Sequence, residues 1–130
     1  MDDIAFASRL LIVDDTASFS QVFTRIAEEA GFQVMAVTDP AQAMRAFSDF
    51  KPDVTLLDVV MPEIDGLDLL FDMLLLRPHA RIVVMSGYGR CMLRLANGIA
   101  QFHDAANVRT ASKPLRRDEL VALMAGMVPA

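Results

Sequence analysis

Residues 9–15 read Arg-Leu-Leu-Ile-Val-Asp-Asp, and residues 54–58 read Val-Thr-Leu-Leu-Asp. Each is a strand-sized apolar run that ends on carboxylate. A strand with one wet face alternates apolar and polar residues, whereas a strand covered on both faces is apolar throughout. Leu10 to Val13 fits the second pattern, and Ile82 to Ser86, Ile-Val-Val-Met-Ser, repeats it. Between these runs the spacing changes to that of helices. Phe19, Val22, Phe23, Ile26, Ala27 and Ala30 recur at helical intervals, with Gly31 as a stop. Val34 to Val37 is a short second strand, and Asp39-Pro40 reads as N-cap and first residue of a helix carrying Ala43, Met44 and Phe47. After the strand Val54 to Asp58, a loop over Pro62 to Gly66 leads to a stripe of Leu67, Leu70, Phe71 and Leu74. Arg90 to Phe102 is a fourth helix, Val108 to Ser112 a weaker fifth strand, and Leu120, Leu123, Met124 and Met127 mark the last helix. Strict alternation of strand and helix implies an α/β fold: a doubly wound parallel sheet of five strands, with five helices covering both faces.

Length and composition narrow the possibilities. The chain has 130 residues, enough for one domain that folds without disulfide or metal staples. The single cysteine, Cys91, allows no intrachain disulfide and fits a reducing compartment. Net charge is −5 and the basic residues form no block, which argues against nucleic acid as a direct partner. The apolar runs are too short to span a bilayer, and Met1-Asp2-Asp3 lacks the basic start of a signal peptide. The expectation is a cytoplasmic domain with no membrane partner.

In an open parallel sheet, sites form beyond the carboxyl ends of the strands. There the first strand delivers Asp14-Asp15, the third Asp58, the fourth Ser86, and the fifth Lys113-Pro114. Clustered carboxylates repel one another and need a compensating cation. An all-oxygen donor set with few protein ligands suits Mg²⁺. With a lysine and a hydroxyl facing the same point, the set suits phosphoryl transfer, which depends mainly on positioning and charge neutralisation. The central carboxylate can serve as the nucleophile and carry an acyl phosphate.

These residues, in this order, resemble the receiver domain of two-component response regulators. The resemblance rests on Asp14-Asp15, on Asp58 within Asp58-Val59-Val60-Met61-Pro62-Glu63-Ile64-Asp65-Gly66, on Ser86-Gly87 and on Lys113-Pro114. It runs from Arg9 to the end, leaving residues 1–8 as an N-terminal tail and 9–130 as the domain. It implies a flavodoxin-like sheet of strand order 2-1-3-4-5. It also implies that Asp58 accepts a phosphoryl group from a histidine kinase or histidine phosphotransfer protein. Mg²⁺ would be bound by Asp15, Asp58 and the backbone carbonyl of Val60, with Asp14 assisting through water. Lys113 would pair with one phosphoryl oxygen and Ser86 with another, and the Lys113-Pro114 bond would be cis. The chain holds two lysines, Lys51 and Lys113, against ten arginines, so a lysine is retained where a compact charge suits the site.

The departures from the family pattern bear on output. Tyr or Phe usually stands three residues before the lysine. Here that residue is Thr110, so the aromatic rotamer switch is missing. Tyr88 is large for a site mouth and is placed to gate Asp58. Together with Ser86, these two are the expected switch residues. Other readings stand beside this one. Asp14-Asp15 also suit helix capping. His79 and His103 lack metal-ligand spacing and read as surface residues, and Cys91 reads as a small apolar residue. A phosphorylation-independent interaction module of the same fold is the alternative function, although every reactive position is filled. An aspartyl-phosphate phosphatase usually has a second aspartate two residues after the nucleophile, where this chain has Val60, and usually a cap domain. The expected activity is therefore that of a stand-alone phosphoacceptor rather than an enzyme. Finally, the fourth helix is apolar around more of its circumference than a sheet can cover: Met92, Leu95, Ile99 and Phe102 lie beside Leu93, Ala96 and Ala100. With Val121 on the last helix, they mark an expected surface for a homodimer or partner along the fourth helix, fifth strand and fifth helix.

Overall fold

The computed structural model describes residues 8–59, 66–87, 90–113 and 115–127. Five parallel strands, β1 (Arg9–Val13), β2 (Gln33–Val37), β3 (Val54–Asp58), β4 (Ile82–Ser86) and β5 (Val108–Ser112), form one sheet in the order β2-β1-β3-β4-β5. The connecting helices are α1 (Ala17–Glu29), α2 (Ala43–Phe50), α3 (Gly66–Leu76) and α4 (Arg90–Phe102), and α5 (Arg117–Met127) follows β5. The fold is the doubly wound, flavodoxin-like arrangement expected from the sequence.

Alternate residues of the central strands feed two separate cores. Leu11, Val13, Leu57, Ile82 and Val84 point to one side, where Phe47 of α2, Leu70, Met73 and Leu74 of α3 and Ala96 of α4 pack on them. Leu10, Ile12, Val54, Leu56, Val83 and Met85 point to the other, against Phe23 and Ala27 of α1 and Leu120 and Met124 of α5. This is why β3 and β4 are buried over their whole length, and β1 from Leu10 onward, and read as unbroken apolar runs. The edge strands β2 and β5 are partly exposed, which accounts for their weaker signals at Gln33 and Arg109.

Local details refine the sequence reading. The α1 helix ends at Glu29, and Gly31 follows at φ +98°, a left-handed turn that favours glycine. Asp39 does cap a helical turn, its side chain accepting the Ala41 N–H, but that turn is a 3₁₀ stretch over Pro40–Gln42 and α2 begins only at Ala43. His103, expected on the surface, is only partly exposed. Its ring stands edge-on to Phe71 at 4.5 Å and to Phe102 at 5.2 Å between centroids, and its Nε2 is buried. Cys91, expected as a small apolar residue, is exposed. No helix among the described residues is long and apolar enough to cross a membrane.

One backbone approach fixes how α3 returns to the sheet. A Cβ built on Gly66 would collide with Val59 Cα and lie 2.7 Å from the Asp58 carbonyl oxygen. Only a residue without a side chain lets α3 start this close to the end of β3. Gly66→Ala is therefore expected to cost about 1–3 kcal/mol of unfolding free energy, the usual price of overpacking. Urea denaturation checks this, and an unchanged midpoint at unchanged slope contradicts it.

Candidate functional site

The carboxyl-terminal edge of the sheet is built by the backbone first. Each ladder runs one residue beyond its strand: Asp14 N–H donates to the Val37 carbonyl at 3.1 Å, Val59 N–H to Met85 at 3.1 Å, and Lys113 N–H to Ser86 at 2.9 Å. Asp14, Asp58 and Lys113 thus leave rigid strand ends rather than free loops.

Their side chains meet over the middle of the sheet. Lys113 Nζ donates to Asp14 Oδ2 at 2.7 Å and to Asp58 Oδ2 at 3.2 Å. Asp14 and Asp58 are buried, and the Lys113 side chain is 18% exposed. Asp15 is the most open of the acidic three, and each carboxylate offers an oxygen within 4.8 Å of the others. Asp14 also accepts the Thr16 N–H on Oδ1 at 2.9 Å, next to the start of α1. One Asp14 oxygen thus holds the turn that leads into α1, whose N-cap is Thr16, and the other meets the lysine. Ser86 is buried at the end of β4, in register with Ser112 of β5. Thr110 is half-buried in β5 opposite Val84, two residues short of the strand end.

The arrangement sets three carboxylates against one ammonium. Hydrogen-bonded charge pairing of this kind is the condition under which buried carboxylates are tolerated. The donor chemistry fits a hard dication: all three converging groups offer oxygen, Asp14 and Asp58 each with one oxygen on the lysine, and Asp14 with its other oxygen on the backbone. Val60, Tyr88 and Pro114, expected as metal ligand, gate and cis proline, lie outside the described residues. One participant was not anticipated. The Phe19 ring, read from the sequence only as part of the apolar stripe of α1, lies under the Lys113 ammonium. Its signal was position: it stands four residues, about one helical turn, beyond Asp15.

The expected α4 surface divides. Leu95 and Phe102 are 51% and 75% exposed. Residues 95, 99 and 102 share one side of α4 by helical spacing. Phe102 stacks on Phe71 of α3 at 5.9 Å, so this side leans toward α3. Met92 and Ile99 are half-buried against the core under α2, α3 and α4, whereas Val121 is half-buried on α5, across the sheet.

The sequence and the fold agree with known proteins. A family model described as the response regulator receiver domain matches residues 10–125, and the chain belongs to that family. It is a receiver domain of two-component signalling, the class whose role is phosphoacceptor signalling. The chemotaxis protein CheY of Thermotoga maritima is 34% identical over 83 residues, covering 63% of this chain and 69% of that one. A protein-glutamate methylesterase/protein-glutamine glutaminase of Caulobacter vibrioides is 42% identical over 79 residues, 60% of this chain but only 23% of that protein. The receiver domain of a Bermanella marisrubri response regulator superposes with a TM-score of 0.78 at 26% identity, covering 94% of this chain and 98% of that one. Chemotaxis protein CheY4 of Vibrio cholerae shares the fold with a TM-score of 0.82 at 18% identity, covering 95% and 100%.

The charge balance is open to direct test. Lys113→Met removes the ammonium shared by two buried carboxylates and is expected to cost about 3–5 kcal/mol of stability. Adding Asp14→Asn to that variant removes one of the repelling charges and should recover part of the loss. Chemical denaturation of the three proteins measures both effects. A single variant as stable as wild type contradicts the pairing.

Proposed function

We propose that this receiver acts as a phosphorylation-controlled switch with Asp58 as its phosphoacceptor, charged by a histidine kinase or histidine phosphotransfer protein. The observation that carries the reading is the lysine bridge: one ammonium within hydrogen-bond reach of both Asp14 and Asp58, with Asp15 beside them. In the transfer, a carboxylate oxygen of Asp58 attacks phosphorus and forms the acyl phosphate bond. The N–P bond of the donor phosphohistidine breaks, and its electron pair leaves with the imidazole. Lys113 is placed to shift from the Asp58 carboxylate to a phosphoryl oxygen, and Ser86, in the neighbouring strand, to hydrogen-bond another. Asp15 and Asp58 would hold Mg²⁺, which supplies charge neutralisation between two anionic reactants. Asp14, held by Thr16 and Lys113, supports the site from behind.

Incubation with acetyl phosphate and Mg²⁺ should add one acid-stable, base-labile phosphoryl group, with acetate as leaving group. Asp58→Asn should abolish it, and chelation of the metal should suppress it. Label that persists in Asp58→Asn and maps to another residue contradicts the assignment.

We further propose that α4 carries the surface for a partner or a second copy of the chain, because Leu95 and Phe102 are large apolar side chains left exposed on one side of that helix. Phosphorylation of Asp58 would strengthen that contact. With Thr110 in place of an aromatic, the change must reach α4 through Ser86 and the segment after β4. Sedimentation of wild type and Leu95→Glu, with and without beryllofluoride, checks this: association in the wild type should be lost in the variant. A wild type that stays monomeric in both states removes the dimer, and a folded Leu95→Glu that keeps its partner removes the surface.

A further inference from the structure

Lys113 Nζ lies 4.0 Å from the centre of the Phe19 ring. The same ammonium donates to Asp14 and Asp58. An ammonium has three N–H donors and no acceptor, and here two carboxylate oxygens and one aromatic face surround it. The ring is itself fixed. Phe19 and the buried Phe23 sit one turn apart on α1, their centroids 4.0 Å apart at 42°. The same helix start is tied to Asp14 through the Thr16 N–H. Ring and carboxylate therefore belong to one rigid turn, and they reach Lys113 from the far end of the chain together.

We propose that Phe19 is a positioning residue for phosphoryl transfer: its ring face holds the Lys113 ammonium at the site and lets it slide from carboxylate to phosphoryl oxygen. The inference rests on the reading of Asp58 and Lys113 given above. A cation is attracted to an aromatic face through the ring quadrupole, and the attraction grows as water is excluded. Three properties of a ring suit this position. It adds no negative charge where three carboxylates already crowd. It does not compete with the incoming phosphoryl group for the cation, as an anionic partner does. Its attraction is spread over a face, so the ammonium can move sideways and keep the contact, whereas a third hydrogen-bond acceptor would pin it in one direction. An aliphatic side chain of similar bulk would exclude water but not attract the cation.

The quadrupole can be weakened without changing the shape of the ring. Replacing Phe19 with mono-, di- and trifluorophenylalanine should lower the acetyl phosphate labelling rate stepwise, by about threefold to tenfold across the series, in keeping with a partly desolvated cation–π contact. Phe19→Leu should fall to the bottom of that range, and Phe19→Tyr should stay within about twofold of wild type, because tyrosine keeps the π face. An independent readout is nuclear magnetic resonance of the lysine ε-methylene. Its Lys113 protons should be shifted upfield by the ring relative to Lys51, and Phe19→Leu should remove the shift. If the wild type labels normally while the fluorinated and leucine variants label equally fast, the positioning role is overturned and the phosphoacceptor reading stands. If the wild type takes no phosphoryl group, the phosphoacceptor reading fails and this role fails with it.

Discussion

One ammonium among three carboxylates is the constraint on which the site depends. Lys113 is 99 residues from Asp14 and 55 from Asp58 along the chain, so only the completed sheet brings them together. The strand order does this by placing β1 and β3 side by side at the centre, with β4 and β5 following on one flank. The ladder bonds just past the strand ends then fix where each side chain starts. Once Asp14 and Asp58 are buried, the lysine is required: removing it leaves repelling charges in a poorly solvated place. The same shortage of positive charge makes the site receptive to a hard cation, which would have to join the lysine before an anionic phosphoryl group could be accepted. A single electrostatic condition therefore links folding to the chemistry proposed here.

Much of this was legible in the sequence, and the reasons are physical. Buried parallel strands are continuous apolar runs, so β3 and β4 could be bounded to the residue and β1 to within one. Their ends carry the reactive groups, so Asp14, Asp15, Asp58, Ser86 and Lys113 could be assigned to one edge without coordinates. What escaped was whatever depends on side-chain direction. Phe19 reads as a core residue because its spacing matches the α1 stripe, and it does pack on the core beside Phe23, but its place in the first turn also sets its ring against Lys113. His103 reads as polar and terminal, yet aromatic neighbours on α3 and α4 enclose it. On α4, counting apolar residues gave the right excess but not its side. Stacking of Phe102 on Phe71 turns that excess toward α3.

These placements bear on how a signal could leave the site. The half-buried Thr110 gives β5 no aromatic lever, so under the proposed function the change would leave the site through the segment between Ser86 and α4. That segment starts from a buried hydroxyl whose strand neighbour carries Lys113. It ends in the helix with the most exposed apolar side chain among the described residues, Phe102. On the opposite side of the lysine, Phe19 and Phe23 tie the ammonium to α1. Lys113 thus meets α1 through the Phe19 ring and the end of β4 through its backbone N–H.

The account stands or falls on whether Asp58, in this constellation, binds a phosphoryl group. Beryllofluoride, a tetrahedral phosphoryl mimic, reports this through fluorine nuclear magnetic resonance without any kinase. The account predicts bound fluorine signals that require Mg²⁺, saturate at one site per chain and vanish in Asp58→Asn. A wild-type protein that stays folded and shows no bound signal at saturating Mg²⁺, or a folded Asp58→Asn protein that shows the same signal, would contradict it.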